Sequence, residues 1–185
     1  ANSAMEADGP SYNELYQRGL AFILSRMRMS SYAPIHVHDT VEVQSWACES
    51  KGVQWNRCYR ILRDGMIVAE AVSVWALIGV EDKRLHRVNE FDFGYRTDDM
   101  LELDSPARFR IPDHVEMKLV GERIVEYADI DKNGHMNNTR NLDWVEDLLP
   151  ASFHRENTPK ELVICYLNEA LENHFLQLQW ELTQE

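Results

Sequence analysis

The stretch Asp129-Ile130-Asp131-Lys132-Asn133-Gly134-His135-Met136-Asn137-Asn138 decides how the second half of this chain folds. A strand-like run, 122–128, precedes it. After it, the apolar residues Leu142, Val145, Leu148 and Leu149 recur at helical spacing. The pattern predicts a strand, a polar turn and a helix over 138–149 that stops before Pro150. Backbone N–H groups at a helix start can bind a developing negative charge, so this geometry is suited to catalysis.

Composition and charge exclude several classes of protein. The 185 residues are 44% hydrophobic and 27% charged, which is typical of a globular protein and enough for one large or two small domains. The net charge of -12 argues against nucleic acid as a partner, because such binding needs cations that neutralise phosphates. We expect no membrane span and no signal peptide, because the sequence has no long apolar run and does not open on a basic and then apolar segment.

Cysteine usage indicates the compartment. Cys48, Cys58 and Cys165 are odd in number, far apart and in no CxxC pair, which disfavours a disulfide framework or a zinc site. We therefore predict a reducing, cytoplasmic location.

The first half of the chain reads as one short helix followed by long strands. Ser11 and Glu14 have the spacing of a capping box, so a helix is predicted over 12–18 with Gly19 at its end. Alternation predicts strands over 20–29 and 36–47, and the turn residues 63–65 predict a hairpin between 53–62 and 66–78.

The second half is predicted to start after a polar connecting region. Periodicity fades and charge rises over 81–112. A strand at 119–128, the helix after the polar turn, and late strands near 160–170 and 174–183 follow. One helix in each half amid antiparallel strands favours an α+β duplication.

Three interpretations compete for residues 129–138. The first is a calcium loop, because Asp129, Asp131, Asn133 and Gly134 reproduce the opening of an EF-hand. That loop requires a glutamate six residues after its glycine, where this chain has Arg140, and a cation there excludes calcium.

The second interpretation is structural. Asn137 can cap the predicted helix. One capping side chain would suffice, however, whereas the stretch carries two acids, three amides and a histidine, and these need partners if they are buried.

The third interpretation is an acyl-transfer site, and here the sequence resembles a known family. The series Tyr127-x-Asp129-x-Asp131-x-Asn133-Gly134-His135-x-Asn137-Asn138, followed by Leu142-x-Trp144, is similar to the signature of the acyl-acyl-carrier-protein thioesterases. Further resemblances follow in family order along the chain: Leu24-Ser25-Arg26-Met27, Asp39-x-Val41-x-Val43-x-x-Trp46, Ser73-Val74-Trp75 with Lys83-Arg84, and Tyr166-Leu167-Asn168-Glu169.

The resemblance implies an α+β tandem (double) hot-dog fold, in which each antiparallel sheet wraps around a helix. We expect an N-terminal hot-dog domain at 6–95, a connector at 96–118 and a C-terminal hot-dog domain at 119–185 that carries the motif. The family pattern also begins with a strand and most of a long helix that have no counterpart before Glu6, and it ends one strand later than this chain.

By resemblance, the catalytic residues are Asp131, Asn133, His135 and Glu169. Residues 131, 133 and 135 alternate, so in an extended turn they would point the same way, and Glu169 would arrive from a neighbouring strand. Asp131 or Glu169 would accept a proton from water, His135 would orient the water or protonate the leaving thiolate, and Asn133 would hold the geometry. The helix start at Asn137 and Asn138 would bind the oxyanion.

Activated water is favoured over a cysteine nucleophile. Plant members of the family place a cysteine directly after this glutamate, whereas this chain has Ala170. Cys165 could share a strand face with Glu169, but roughly 13 Å would separate them at the rise of a strand.

The predicted function is hydrolysis of acyl-acyl carrier protein to free fatty acid, which would terminate fatty-acid synthesis. The alternatives are an acyl-CoA thioesterase of the same fold and a non-catalytic acyl-binding hot-dog protein. The expected partner is acyl-loaded carrier protein or acyl-CoA; a homodimer is left open. No cofactor or metal is expected, since His36 and His38 lack an evident third ligand.

Overall fold

The computed structural model describes residues 9–181, which group into two compact units. Unit 1 contains the chain up to Phe109 together with Pro159–Tyr166, and unit 2 contains Arg110–Thr158 together with the chain from Leu167 onward. The elements in chain order are α1 (Tyr12–Gln17), β1 (Leu20–Ser31), β2 (Glu42–Ala47), β3 (Trp55–Arg63), β4 (Met66–Gly79), β5 (Leu85–His86), β6 (Lys118–Ile124), α2 (Asn138–Glu146), α3 (Ala151–Glu156), β7 (Glu161–Cys165) and β8 (Phe175–Trp180).

Unit 1 is built on an antiparallel sheet of order β2-β3-β4-β1-β7, with β5 beside β4. Strand β4 lies between β3 and β1 and supplies much of the buried core, because both of its faces are covered: Val72 and Leu77 are fully buried. Residues 159–166, which belong to the second domain in the sequence-based prediction, lie in unit 1 because β7 pairs with β1.

Local signals in the first half predict the local structure well. The capping box is confirmed, since the Ser11 side chain accepts from the Glu14 N–H and the Glu14 side chain accepts from the Ser11 N–H. The hairpin is also confirmed: Asp64 and Gly65 both have positive φ, 53° and 76°, as a type I′ turn requires.

The strand predicted over 36–47 is wrong in its first part. Strand β2 begins only at Glu42, because His36 to Asp39 form a turn. The Asp39 carboxylate accepts from the His36 N–H at 2.9 Å and from the Arg63 guanidinium at 2.7 Å, and His38 has a φ of 77°. A side chain that closes a turn has overridden the alternation of the sequence.

Unit 2 contains the antiparallel pair β6–β8 and the helices α2 and α3. Its core consists of Val125, Met136 and Trp144, against which Ala170 and Leu176 pack. The predicted strand 119–128 ends at Ile124, since Tyr127–Asp129 form a 3-10 turn. The predicted helix 138–149 ends at Glu146, and the separate helix α3 was not predicted.

The late strands are shorter than predicted. Strand β7 ends at Cys165 and β8 spans Phe175–Trp180, so Glu169 lies in the loop between them rather than in a strand. The last residues of the strand predicted to reach 183, and the first domain's predicted start at residue 6, lie outside the described residues.

Candidate active site

The polar stretch folds into a closed turn rather than the extended turn predicted. Ile130 and Met136 form an antiparallel bridge, and the Asp131 N–H donates to the His135 carbonyl at 2.9 Å. The Gly134 N–H donates to the Asp131 carbonyl at 3.0 Å, and Gly134 has a φ of 81°, a conformation that favours glycine. The alternation argument for residues 131, 133 and 135 therefore does not apply.

Asp131 and Asn133 lie together inside this turn. One oxygen of the Asp131 carboxylate accepts from the Asn133 backbone N–H at 2.8 Å, and the other accepts from the Asn133 side-chain amide at 3.2 Å. The first of these bonds is an Asx turn, which accounts for part of the stretch in purely structural terms. It also fixes the orientation of the carboxylate.

His135 and Glu169 form the second pair. The His135 Nε2 atom lies 3.3 Å from a carboxylate oxygen of Glu169, and the two side chains are 36% and 51% exposed. The neighbouring residues fix this approach, because the Met136 N–H donates to the Ala170 carbonyl at 2.8 Å. Glu169 thus reaches His135 from the β7–β8 loop. A carboxylate against one ring nitrogen can hold an imidazole in a fixed orientation.

The helix start after the turn is already engaged by the fold. The Asn137 side-chain oxygen accepts from the Thr139 N–H at 3.0 Å, which confirms the predicted N-cap. The Asn137 backbone N–H donates to the Asp129 carbonyl at 2.8 Å. Helix α2 begins at the next residue, Asn138.

Two positions bear on whether a cysteine could be the nucleophile, namely Ala170 and Cys165. Ala170, where plant relatives are expected to carry cysteine, packs in the core of unit 2. Cys165 closes β7 opposite Arg26, and its sulfur accepts from the Phe109 N–H at 3.3 Å. The strand alternation that could have linked Cys165 to Glu169 stops at Cys165.

Three arginines of unit 1 have acidic partners. Arg60 pairs with Glu70 at 2.7 Å, Arg63 with Asp39 at 2.7 Å, and Arg84 with Glu90 at 3.2 Å. In the described part of the chain, no helix is long and apolar enough to cross a membrane. No group of three or more potential metal-ligating side chains occurs there either.

Two family models match successive parts of the chain. The N-terminal domain of acyl-ACP thioesterases matches residues 2–92, and the C-terminal domain of the same family matches residues 114–185. Among curated proteins, the chain is similar to a palmitoyl-acyl carrier protein thioesterase of Arabidopsis thaliana, with 23% identity over 172 residues that cover 89% of this chain and 42% of the relative.

A second relative, oleoyl-acyl carrier protein thioesterase 2 of the same plant, is 25% identical over 166 residues, covering 81% of this chain and 44% of the relative. The chain therefore spans less than half the length of these curated relatives.

Solved structures show the fold. An acyl-ACP thioesterase from Bacteroides thetaiotaomicron superimposes with a TM-score of 0.84 at 21% identity, over 95% of this chain and 72% of that one. A 12:0-ACP thioesterase from Umbellularia californica gives a TM-score of 0.70 at 20% identity, over 90% of this chain and 67% of that one. These likenesses confirm the predicted α+β hot-dog fold. With both domain models matched in order along the sequence, the chain belongs to the acyl-ACP thioesterase family.

Proposed function

We propose that this chain hydrolyses the thioester of acyl-acyl carrier protein and releases free fatty acid, which would terminate fatty-acid synthesis. The observation that carries the proposal is the approach of Glu169 to His135, beside the turn that holds Asp131 against Asn133. Two carboxylates, an imidazole and an amide provide the groups that thioester hydrolysis by water needs.

In the proposed reaction, a water oxygen attacks the thioester carbonyl carbon. Asp131 or Glu169 accepts a proton from the water, and His135 orients the water or donates a proton to the departing thiolate. The carbon–sulfur bond breaks, and the products are the fatty acid and the free thiol of the carrier. Asn133 keeps the Asp131 carboxylate in place through the two hydrogen bonds between these residues.

The oxyanion is assigned to the helix start at Asn137 and Asn138. The Asn137 N–H donates to the Asp129 carbonyl in this structure, so its participation would require that hydrogen bond to open. The Asn137 side chain, as the cap of α2, keeps this end of the helix in place.

Water is the proposed nucleophile because a thiol is lacking where plant relatives are expected to have one. Ala170 follows Glu169 directly, and its side chain packs in the core of unit 2. We therefore expect Cys165→Ser to keep full hydrolysis, and a large loss of rate in that variant would restore a thiol mechanism.

The central experiment measures hydrolysis by Asp131→Ala and His135→Ala. Both variants are expected to lose at least about a hundredfold in kcat, since each removes a general acid or base. Asp113→Ala and His154→Ala are matched controls, because they make the same changes at exposed positions of unit 2 outside the turn. A cooperative thermal melt checks the fold of each variant. Full activity in both folded site variants would refute the proposal.

The carrier is tested separately. The same acyl chain on acyl carrier protein and on coenzyme A distinguishes the proposed function from that of an acyl-CoA thioesterase. A strong preference for coenzyme A would favour the latter. A non-catalytic acyl-binding protein would hydrolyse neither thioester. This alternative is less favoured, because binding an acyl chain does not require the polar set of Asp131, Asn133, His135 and Glu169.

Location and assembly are proposed from the sequence. The cysteine pattern favours the cytoplasm, whereas the matched plant relatives are named chloroplastic. Single hot-dog domains pair by dimerising, whereas tandem domains can form the same pair within one chain. Both a monomer and a homodimer are therefore compatible with the fold, and sedimentation analysis would distinguish them.

A further inference from the structure

Unit 1 contains a pair of buried cysteines that the proposed chemistry does not use. Cys48 directly follows β2 and Cys58 lies in β3, and both are free thiols that are almost completely buried. Cys58 pairs with Trp46 across the two strands, and the Cys48 N–H continues this pairing by donating to the Asn56 carbonyl at 3.0 Å. The Cys48 thiol donates a hydrogen bond to the Cys58 sulfur, and the two sulfur atoms are 2.7 Å apart. The fold therefore holds two thiols in contact.

The surroundings of this cysteine pair are apolar. Val72 of β4 belongs to the same buried cluster, and Leu101 and Leu103 pack against it. Within residues 9–181, no group of three or more His, Cys, Asp and Glu side chains is arranged to hold a metal ion. The chemistry open to the pair is therefore that of two thiols with each other, which is disulfide formation.

A cavity gives a small oxidant access to the pair. Cys48 lines a cavity of about 320 Å³ in unit 1, which has room for roughly ten water-sized groups at about 30 Å³ each. Hydrogen peroxide is little larger than water and fits into this space, whereas a disulfide as large as oxidised glutathione does not. The oxidant that suits the pair is therefore a small peroxide.

The hydrogen bond between the two cysteines also changes their acidity. It lowers the pKa of Cys58 to about 7, although burial acts in the opposite direction. The same hydrogen bond, together with burial, raises the pKa of Cys48. The thiolate is the form of cysteine that peroxides oxidise. Near neutral pH, the pair thus contains a thiolate with a protonated thiol in contact with it.

We propose that Cys48 and Cys58 form a peroxide-responsive thiol pair, whose oxidation to a disulfide fastens the end of β2 to β3. One sulfur attacks the O–O bond of hydrogen peroxide and becomes a sulfenic acid, and one water leaves. The second sulfur attacks the sulfenic sulfur, the S–S bond forms, and a second water leaves. The two thiols lose two electrons and two protons, which reduce one hydrogen peroxide to two waters. The sulfurs need to move only a little, because bonded sulfurs are about 2.05 Å apart.

The position of this bond determines its effect. Strand β2 lies at the edge of its sheet and pairs with β3. Its end also contacts a later segment, since the Asp98 N–H donates to the Ala47 carbonyl at 3.0 Å and the Trp46 indole N–H donates to the Asp99 carbonyl at 2.9 Å. A covalent link between residues 48 and 58 restrains the unfolded chain, so we expect the disulfide to raise the Tm by roughly 5 °C.

Treatment of the full, reduced chain with a modest excess of hydrogen peroxide tests the proposal. Free thiols are then alkylated in denaturant and counted by mass spectrometry. We expect three labels before treatment, one after it, and three again after reduction with dithiothreitol. Trypsin cuts after Lys51 and Arg57, so the oxidised chain should yield the Cys48 and Cys58 peptides joined by a disulfide. The oxidised chain should also melt roughly 5 °C above the reduced chain.

Cys165→Ser is the matched control, because it removes the one thiol outside the pair. This variant should lose both of its remaining labels together and should show the same rise in Tm. Cys58→Ser should show neither joined peptides nor a rise in Tm. The peptide map of the unaltered chain still decides the matter if Cys58→Ser fails to fold.

Three labels after peroxide treatment would overturn the proposal. So would joined peptides that contain Cys165, or Cys58 recovered as a sulfinic acid without the joined peptides. An unchanged Tm in the oxidised chain would overturn the fastening of β2. None of these measurements depends on hydrolysis, so a failure here is distinguishable from a failure of the proposed function.

Discussion

Arg140 shows how one residue separates two readings of the same turn. Its position excludes the EF-hand that the preceding residues imitate, and in the structure its guanidinium lies 3.6 Å from the Asp129 carboxylate. It also donates to Asp143 at 2.9 Å and to the Ala128 carbonyl at 3.2 Å. The arginine therefore ties the start of α2 back to the beginning of the turn, where a calcium loop would have needed an anion.

Glu169 is predicted to matter through its charge. We expect Glu169→Gln to reduce kcat about a hundredfold with little change in KM, because the amide cannot accept a proton or stabilise a protonated His135. Glu172→Gln, at an exposed position of the same loop, is the matched control. Steady-state kinetics on acyl carrier protein measures both. Equal rates for the two variants would remove Glu169 from the mechanism.

The cysteines are predicted to differ in reactivity. Cys48 and Cys58 are buried with their sulfurs 2.7 Å apart, and the hydrogen bond from Cys48 lowers the pKa of Cys58 to about 7. Cys165 is partly exposed. Because access limits reaction, a disulfide reagent should titrate one thiol quickly in the folded chain and all three in denaturant. Cys165→Ser should abolish the fast reaction; two fast thiols in the unaltered chain would contradict this prediction.

At the scale of elements, the sequence predicts well where the signal is local. The capping box of α1, the type I′ hairpin and the cap of α2 each depend on residues two to four positions apart, and all three are confirmed. The alternation of 36–47 predicted a strand that starts too early, because its first residues form a turn. The Asp39 carboxylate in that turn accepts from Arg63, which lies 24 positions away in the sequence. Val37, an alternating residue of the predicted strand, is 85% exposed.

The turn at Asp39 predicts a pH effect. The His36 N–H, and then Arg63, hold the pKa of Asp39 below its usual value. A depressed folded-state pKa contributes stability above the unfolded pKa of about 3.9, and this contribution is lost as pH falls through the folded value. Asp39→Asn should therefore lower the Tm near pH 7, and the difference from the unaltered chain should shrink below about pH 4. Asp104→Asn, at an exposed position, serves as the control. A Tm difference that persists at pH 2 would contradict the prediction.

At the scale of the whole molecule, net charge affects how fast the chain would associate with an acyl carrier protein. The chain has a net charge of -12, and acyl carrier proteins are acidic, so their long-range interaction is repulsive. We expect kcat/KM for acyl carrier protein to rise severalfold between about 20 and about 200 mM salt, as screening weakens the repulsion. An uncharged thioester of the same acyl chain should show no such rise. A steep fall with salt would instead show that a local basic patch directs association.

Only the tertiary structure decided which distant residues contact one another, because no local sequence pattern predicts such contacts. The sequence by itself determined the strand–turn–helix unit, the hairpin, the residue types of the motif and, through resemblance, the family, because these depend on neighbouring residues. Contacts between distant residues decided that β7 pairs with β1, that Glu169 meets His135 from a loop, and that Arg57 and Tyr95 share a cavity. In each of these contacts the partners lie about 34 or more positions apart in the sequence. Strand alternation and helical spacing carry no information over that range.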